Sequence, residues 1–248
     1  MRRRAGPVTR LRRGLRAAII LTLLALLGLA GWGWLRAHPG DNPFAPLILS
    51  DAPGRFTRTK LVGLAGEGTR CRQLMTDAGV DFAPLPDRGE GQCLARDRIL
   101  LARGGAFPVA MTPAAVSPSC PVVVATLLWT WHGLQPAAQR HYGSSVVSIE
   151  HFGSYNCRRM YGAAQGAWSE HASGNALDVA GFRLANGRRI SVLRGWNGAA
   201  ADRAFLREVR DSACGLFATV LSPDYNAAHA DHFHLDQAQR GGGWGACR

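Results

Sequence analysis

Ser169-Glu-His-Ala-Ser-Gly-Asn-Ala-Leu-Asp178 and Asp231-His-Phe-His-Leu-Asp236 are the two stretches around which the chain is organised. Ala176-Leu-Asp-Val-Ala-Gly-Phe182 has the look of a short strand with apolar residues on both faces. Side chains alternate along a strand, so Asp178 shares a face with Ala176 and Ala180, whose small size leaves room beside the carboxylate. Ser173-Gly174-Asn175 is a turn signal that folds His171 back over that face. In the second stretch the same parity puts His232, His234 and Asp236 on one side and Phe233 and Leu235 in a core. Two such strands side by side present His171, Asp178 and His234 at one point. Two imidazoles and a carboxylate suit a zinc ion, with a fourth position left to water in catalytic sites. A hydrogen-bonded core network without metal is the plainer alternative for the same residues.

The pattern resembles the zinc peptidases of the lysostaphin, D-Ala-D-Ala-peptidase and hedgehog group. That group's first motif is Ser-x-His-x-x-Gly-x-Ala-x-Asp, matched here by Ser169, His171, Gly174, Ala176 and Asp178. Its second motif ends in His-x-His or acid-x-x-His, and Asp231, His232 and His234 satisfy both. Ser154-Tyr-Asn-Cys-Arg158, residues 169–182, Ile190-Ser-Val-Leu193 and residues 223–234 resemble more closely the bacterial extensin-like C-terminal family, over roughly residues 56–248. The resemblance implies that His171, Asp178 and His234 ligate zinc and that Asp231 or His232 acts as base. Strand parity brings His232 near the ion, but the acid-x-x-His peptidases use the Asp231 position, so Asp231 is the preferred base and His232 its supporting partner. It also sets Ser154-Tyr-Asn-Cys-Arg158 where the D-Ala-D-Ala peptidases carry an arginine that holds the substrate carboxylate. Here Arg158 comes later than in their pattern, behind a cysteine. An arginine fork fits a carboxylate, so Arg158 and Ser169 are the expected substrate contacts.

The remaining chain reads as support and anchorage. The 248 residues carry a net charge of +12, and seven arginines lie at or before Arg16, ahead of any acid. A basic tail in front of an apolar run is a topology signal, which disfavours nucleic acid as the partner. Residues 17–35 contain no charge and end near Trp32 and Trp34. A helix of that length just spans a hydrocarbon core of ~30 Å, with tryptophans at the interface. Gly28-Leu-Ala30 is a candidate processing site. The apolar run continues past it, which favours an uncleaved inner-membrane anchor with a cytoplasmic N-terminus and a periplasmic domain.

The expected organisation is a basic cytoplasmic tail over 1–16, a transmembrane helix over 17–35, a proline-rich linker over 36–59 and a zinc domain over 60–248. Pro46-Leu-Ile-Leu49 is a candidate for docking on that domain, as the family resemblance suggests. Helices are expected over 60–78 (glycine-interrupted), 122–139 and 202–216, and strands at 99–102 and 146–150. Six cysteines in an exported chain read as disulfides, and none forms a Cys-x-x-Cys. Pairing sequence neighbours predicts Cys71–Cys93, Cys120–Cys157 and Cys214–Cys247. The fold expected is α+β, an antiparallel sheet carrying the ligands with helices behind it. The function expected is hydrolysis of peptide bonds in peptidoglycan stems or cross-links. A non-catalytic zinc-containing cell-wall-binding or envelope-structural module is the alternative.

Overall fold

The computed structural model describes residues 7–239 and 245–248; Arg2, Arg3 and Arg4 of the basic tail lie outside them. The chain runs α1 (Pro7–Ala37), α2 (Thr57–Val62), α3 (Gly68–Asp77), β1 (Phe82–Leu85), β2 (Arg98–Leu101), β3 (Ala110–Thr112), α4 (Cys120–Trp129), α5 (Gln135–Tyr142), β4 (Val146–Gly153), β5 (Ala176–Leu184), β6 (Arg189–Ser191), α6 (Val192–Gly195), α7 (Ala200–Ala213), β7 (Thr219–Leu221), β8 (Phe233–Asp236) and β9 (Ala246–Cys247). The fold is α+β. Among the described residues, α1 is the one helix long and apolar enough to cross a membrane.

One sheet follows the order β3-β4-β5-β8-β7-β9, with β6 also paired to β5. Its centre is antiparallel, including the β5–β8 pair. Its two edge pairs, β3–β4 and β7–β9, are parallel. β1 and β2 form a separate antiparallel pair.

The helices follow from local chemistry. Every residue of α4 is buried, as its nearly unbroken apolar sequence requires. The predicted 122–139 helix is present but widens into a π turn over Thr130–Leu134, where the Gln135 N–H bonds the Thr130 carbonyl. Pro136 follows, lacks an N–H and crowds the carbonyl four residues back, so the backbone spreads there. Helices α4 and α7 meet the sheet through rings. Trp129 contacts Phe182 of β5 and Phe217, and Phe182 contacts Phe205 of α7. The Trp129 indole donates to the Val209 carbonyl, so its polar edge is paired in the core. The 60–78 helix is two helices, broken at Gly66, whose φ of 80° side chains rarely adopt.

Two of the three expected disulfides are corrected. The pairs are Cys71–Cys120, Cys93–Cys157 and Cys214–Cys247. α3 packs against α4, which brings the Cα atoms of Cys71 and Cys120 to 6.1 Å. The turn holding Cys93 lies against the 154–158 segment, with Cα atoms 5.3 Å apart. Packing between elements, rather than nearness along the chain, brings each pair within bridging range.

Residues 38–56 lie along the domain surface. Leu47 and Leu49 join the hydrophobic core. Gly40 and Gly54 touch so closely that a Cβ on Gly40 would come within 2.6 Å of the Gly54 nitrogen. Lys60 donates to the Pro39 carbonyl and the Phe56 N–H to that of Gly40. Leu49→Ala is therefore expected to cost ~2–5 kcal/mol, the usual price of truncating a buried leucine. Denaturant unfolding of the full chain measures it; a free tether would show no change.

Candidate metal centre

His171 sits in a 3₁₀ turn, Glu170–Ser173, whose N-cap Ser169 accepts from the His171 N–H at 3.3 Å. Gly174 closes the turn at φ 68° and releases the chain into β5. Glu170 accepts from Asn175 at 2.7 Å, and Asn175 accepts from Ser119, so this acid braces the loop that carries the histidine. β5 and β8 pair with Asp178 directly opposite His234. The strand register therefore sets two of the three candidate ligands side by side, and a slip by one residue would turn His234 to the other face.

The three side chains meet. His171 Nε2 lies 3.1 Å from Asp178 Oδ1 and 3.1 Å from His234 Nδ1, and His234 Nδ1 lies 3.0 Å from Asp178 Oδ1. A tetrahedral zinc site with ligands at 2.0–2.1 Å has edges of ~3.3 Å, so the triangle has the right size.

The outer bonds decide the chemistry. His171 Nδ1 faces the Ser154 carbonyl at 2.8 Å, and a carbonyl only accepts, so Nδ1 carries the proton. His234 Nε2 faces Asp236 Oδ2 at 3.0 Å, so it too is protonated. When both rings are neutral, each turns a lone pair inward, where the Asp178 oxygen turns another. Three lone pairs aimed at one point repel one another unless a cation or a proton sits among them. This is the tautomer arrangement by which partners outside a metal site set histidine ligands.

The charges agree. Burial opposes charge on His234, yet Asp178 and Asp236 raise its pKa to about 9. Burial likewise opposes ionisation of Asp178, but the adjacent His171 and His234 hold its pKa well below the usual carboxylate range. Without metal, a proton shared by this pair takes the cation's place.

His232 and Asp231 stand beside the triangle. His232 Nε2 lies 3.5 Å from Asp178 Oδ1, while its Nδ1 lies 2.8 Å from Asp231 Oδ1. The imidazole faces the site, and the half-exposed Asp231 stands behind it. The Arg158 side chain is partly buried. No hydrogen bond or ion pair of its guanidinium occurs among the described residues; its backbone carbonyl accepts from Ser169. Trp168 stacks with Arg159 at 4.4 Å. His151 is bonded to the Pro113 carbonyl at 2.7 Å, which makes it a structural contact.

Two members of the cluster gain their roles only in the fold. Parity puts Asp236 on the same face as His234, and the fold adds the bond between them. His229 is buried, with its ring 5.2 Å from that of His232 and 5.9 Å from that of His234. Burial first, then the charge of His232, lowers its pKa to about 4, so it stays neutral. The crowding of three histidines into 229–234 was the available signal.

Metal must displace the proton held on His234. Apparent zinc affinity is therefore expected to rise about tenfold per pH unit between pH 7 and 9, and to level off above that. Competition titration with a chromogenic chelator reads this; a flat profile would contradict it. Asp236→Ala, which loses the acceptor that sets the His234 tautomer, is expected to weaken zinc ~10–100-fold.

Comparison with family models matches residues 69–248 to the family described as extensin-like protein C-terminus. Comparison with curated proteins finds no match, and neither does comparison with solved structures. The match includes His171, Asp178, Asp231, His232 and His234, and it spans most of the chain. The chain belongs to the extensin-like C-terminal family.

Proposed function

We propose that this chain is a zinc-dependent peptidase acting on peptide bonds of peptidoglycan, carried by an inner-membrane anchor with its domain in the periplasm. The observation that carries the proposal is the convergence of the His171, Asp178 and His234 lone pairs beside an Asp231–His232 pair. The likeness of Ser169–Asp178 and Asp231–His234 to the lysostaphin and D-Ala-D-Ala-peptidase motifs supports it, as do three disulfides in a chain with an apolar N-terminal helix.

When bound, zinc supplies Lewis-acid polarisation of a scissile carbonyl and a lowered pKa for water. His171, Asp178 and His234 hold it. Asp231 accepts the His232 Nδ1–H and leaves a lone pair on Nε2, beside Asp178. At that atom His232 takes the proton of the attacking water and returns it to the leaving amine. In this reading Asp231 orients the base rather than acting as the base itself. Arg158 offers a guanidinium fork to a substrate carboxylate.

A non-catalytic zinc-containing wall-binding or envelope-structural module is the second reading. It is favoured by the depth of the ligands, whose side chains are only 5% (His171), 14% (Asp178) and 11% (His234) exposed. Digestion of purified sacculi separates the two. The first expects new muropeptides that vanish with His171→Ala; zinc bound without new muropeptides supports the second. His232→Ala is expected to retain zinc and to lose ~10²–10⁴-fold in kcat. Unchanged turnover in that variant would remove His232 from the chemistry.

A further inference from the structure

Four aromatic side chains outside α1 are strongly exposed among the described residues: Phe44, Phe152, Tyr161 and Tyr225. Three of the four surround the histidine cluster. Phe152, next to last in β4, has its ring 5.7 Å from that of His232. Tyr225 lies edge-on to His229 at 5.4 Å. Tyr161 comes from the turn Met160–Gly162 and reaches the same rim, where its hydroxyl accepts from the Asn226 amide at 3.1 Å and lies beside that of Tyr225.

These rings are held outward. Tyr161 has φ 56°, a conformation that a residue with a Cβ rarely adopts. Such strain collects at ligand clamps. The bridge between Arg159 and Trp168 and the bond from the Arg159 guanidinium to the Gly166 carbonyl close the base of its loop. Asn226 ties the tip to the site: its Oδ1 accepts from His229 Nδ1 at 2.7 Å and from the Ala228 N–H. Tyr161 is thus tied to the rim by a hydrogen bond, while both tyrosine side chains remain exposed.

We infer that Phe152, Tyr161 and Tyr225 form a saccharide-binding platform at the mouth of the metal centre. The rim has the chemistry of a sugar surface. An aromatic face is electron-rich and attracts the flat, slightly positive C–H face of a pyranose, and phenol hydroxyls meet the ring's hydroxyl edge. None of the three carries a charge at neutral pH, which suits a neutral polyhydroxyl ligand. The nearby Arg159 guanidinium is committed to Trp168 and Gly166. The inference rests on the reading above that the bond cleaved belongs to a wall peptide, and it adds that this peptide is presented while still attached to its glycan.

The test uses the full chain in detergent and oligosaccharides of alternating N-acetylglucosamine and N-acetylmuramic acid whose lactyl carboxyl is capped as a simple amide, so that the probe is neutral and carries no peptide. Saturation-transfer NMR on the wild type is expected to show contact between sugar C–H protons and tyrosine rings, and this needs no variant. Tyr161→Ala and Tyr225→Ala should each weaken binding about tenfold, and Tyr161→Phe much less. Chelator-treated protein should bind the glycan as well as the zinc-loaded form does. No binding at millimolar sugar, or folded alanine variants that bind like the wild type, overturns the platform. Cleavage of wall peptides without glycan binding also overturns it and leaves the peptidase reading in place. Glycan binding without cleavage supports the platform and removes the peptidase reading.

Discussion

The centre of this molecule is a repulsion. Three lone pairs, on His171 Nε2, His234 Nδ1 and Asp178 Oδ1, are held within about 3.1 Å of one another by bonds made on the far side of each ring. A folded domain keeps such an arrangement only where something positive resolves it. The Ser154 carbonyl and the Asp236 carboxylate impose the arrangement, because both can only accept. Much of the domain is needed to hold those two acceptors still. The Cys93–Cys157 bridge ties down the segment carrying Ser154, and the buried faces of β5 and β8 lock the register that pairs Asp178 with His234.

The layers around the centre differ in exposure. The triangle of His171, Asp178 and His234 is nearly closed. His232 lies at its edge, with Asp231 half-exposed behind. Beyond them Phe152, Tyr161 and Tyr225 stand in solvent. A gradient from a dry polar centre to a wet aromatic rim is how small-molecule and polymer sites are commonly built, with orientation set deep and contact area supplied outside. Asn226 joins the outermost part to the innermost, since one amide bonds both Tyr161 and His229.

The segment that follows α1 has its own logic. The core takes Leu47 and Leu49, and backbone bonds join Pro39 and Gly40 to Lys60 and Phe56. The domain therefore begins within a few residues of the end of α1 instead of hanging from a proline-rich tether. Alternating buried and exposed positions at 47–49 carry this information weakly, because prolines on either side dominate the local signal.

Residue pattern alone determined the apolar helix, the helical character of 60–78 and 122–139, the two strands that meet at the cluster and the identity of the three converging residues. Each depends on short-range periodicity or on motif spacing, which local sterics and strand parity convert directly into geometry. The tertiary structure alone decided which cysteines pair, because that follows from α3 lying on α4 and from a distant turn lying under 154–158. It alone set Asp231 behind His232, brought Asp236 and His229 into the cluster and aimed the ring nitrogens. A side chain's partner across a sheet or between loops is fixed by packing summed over the whole core, and no window of sequence contains that sum.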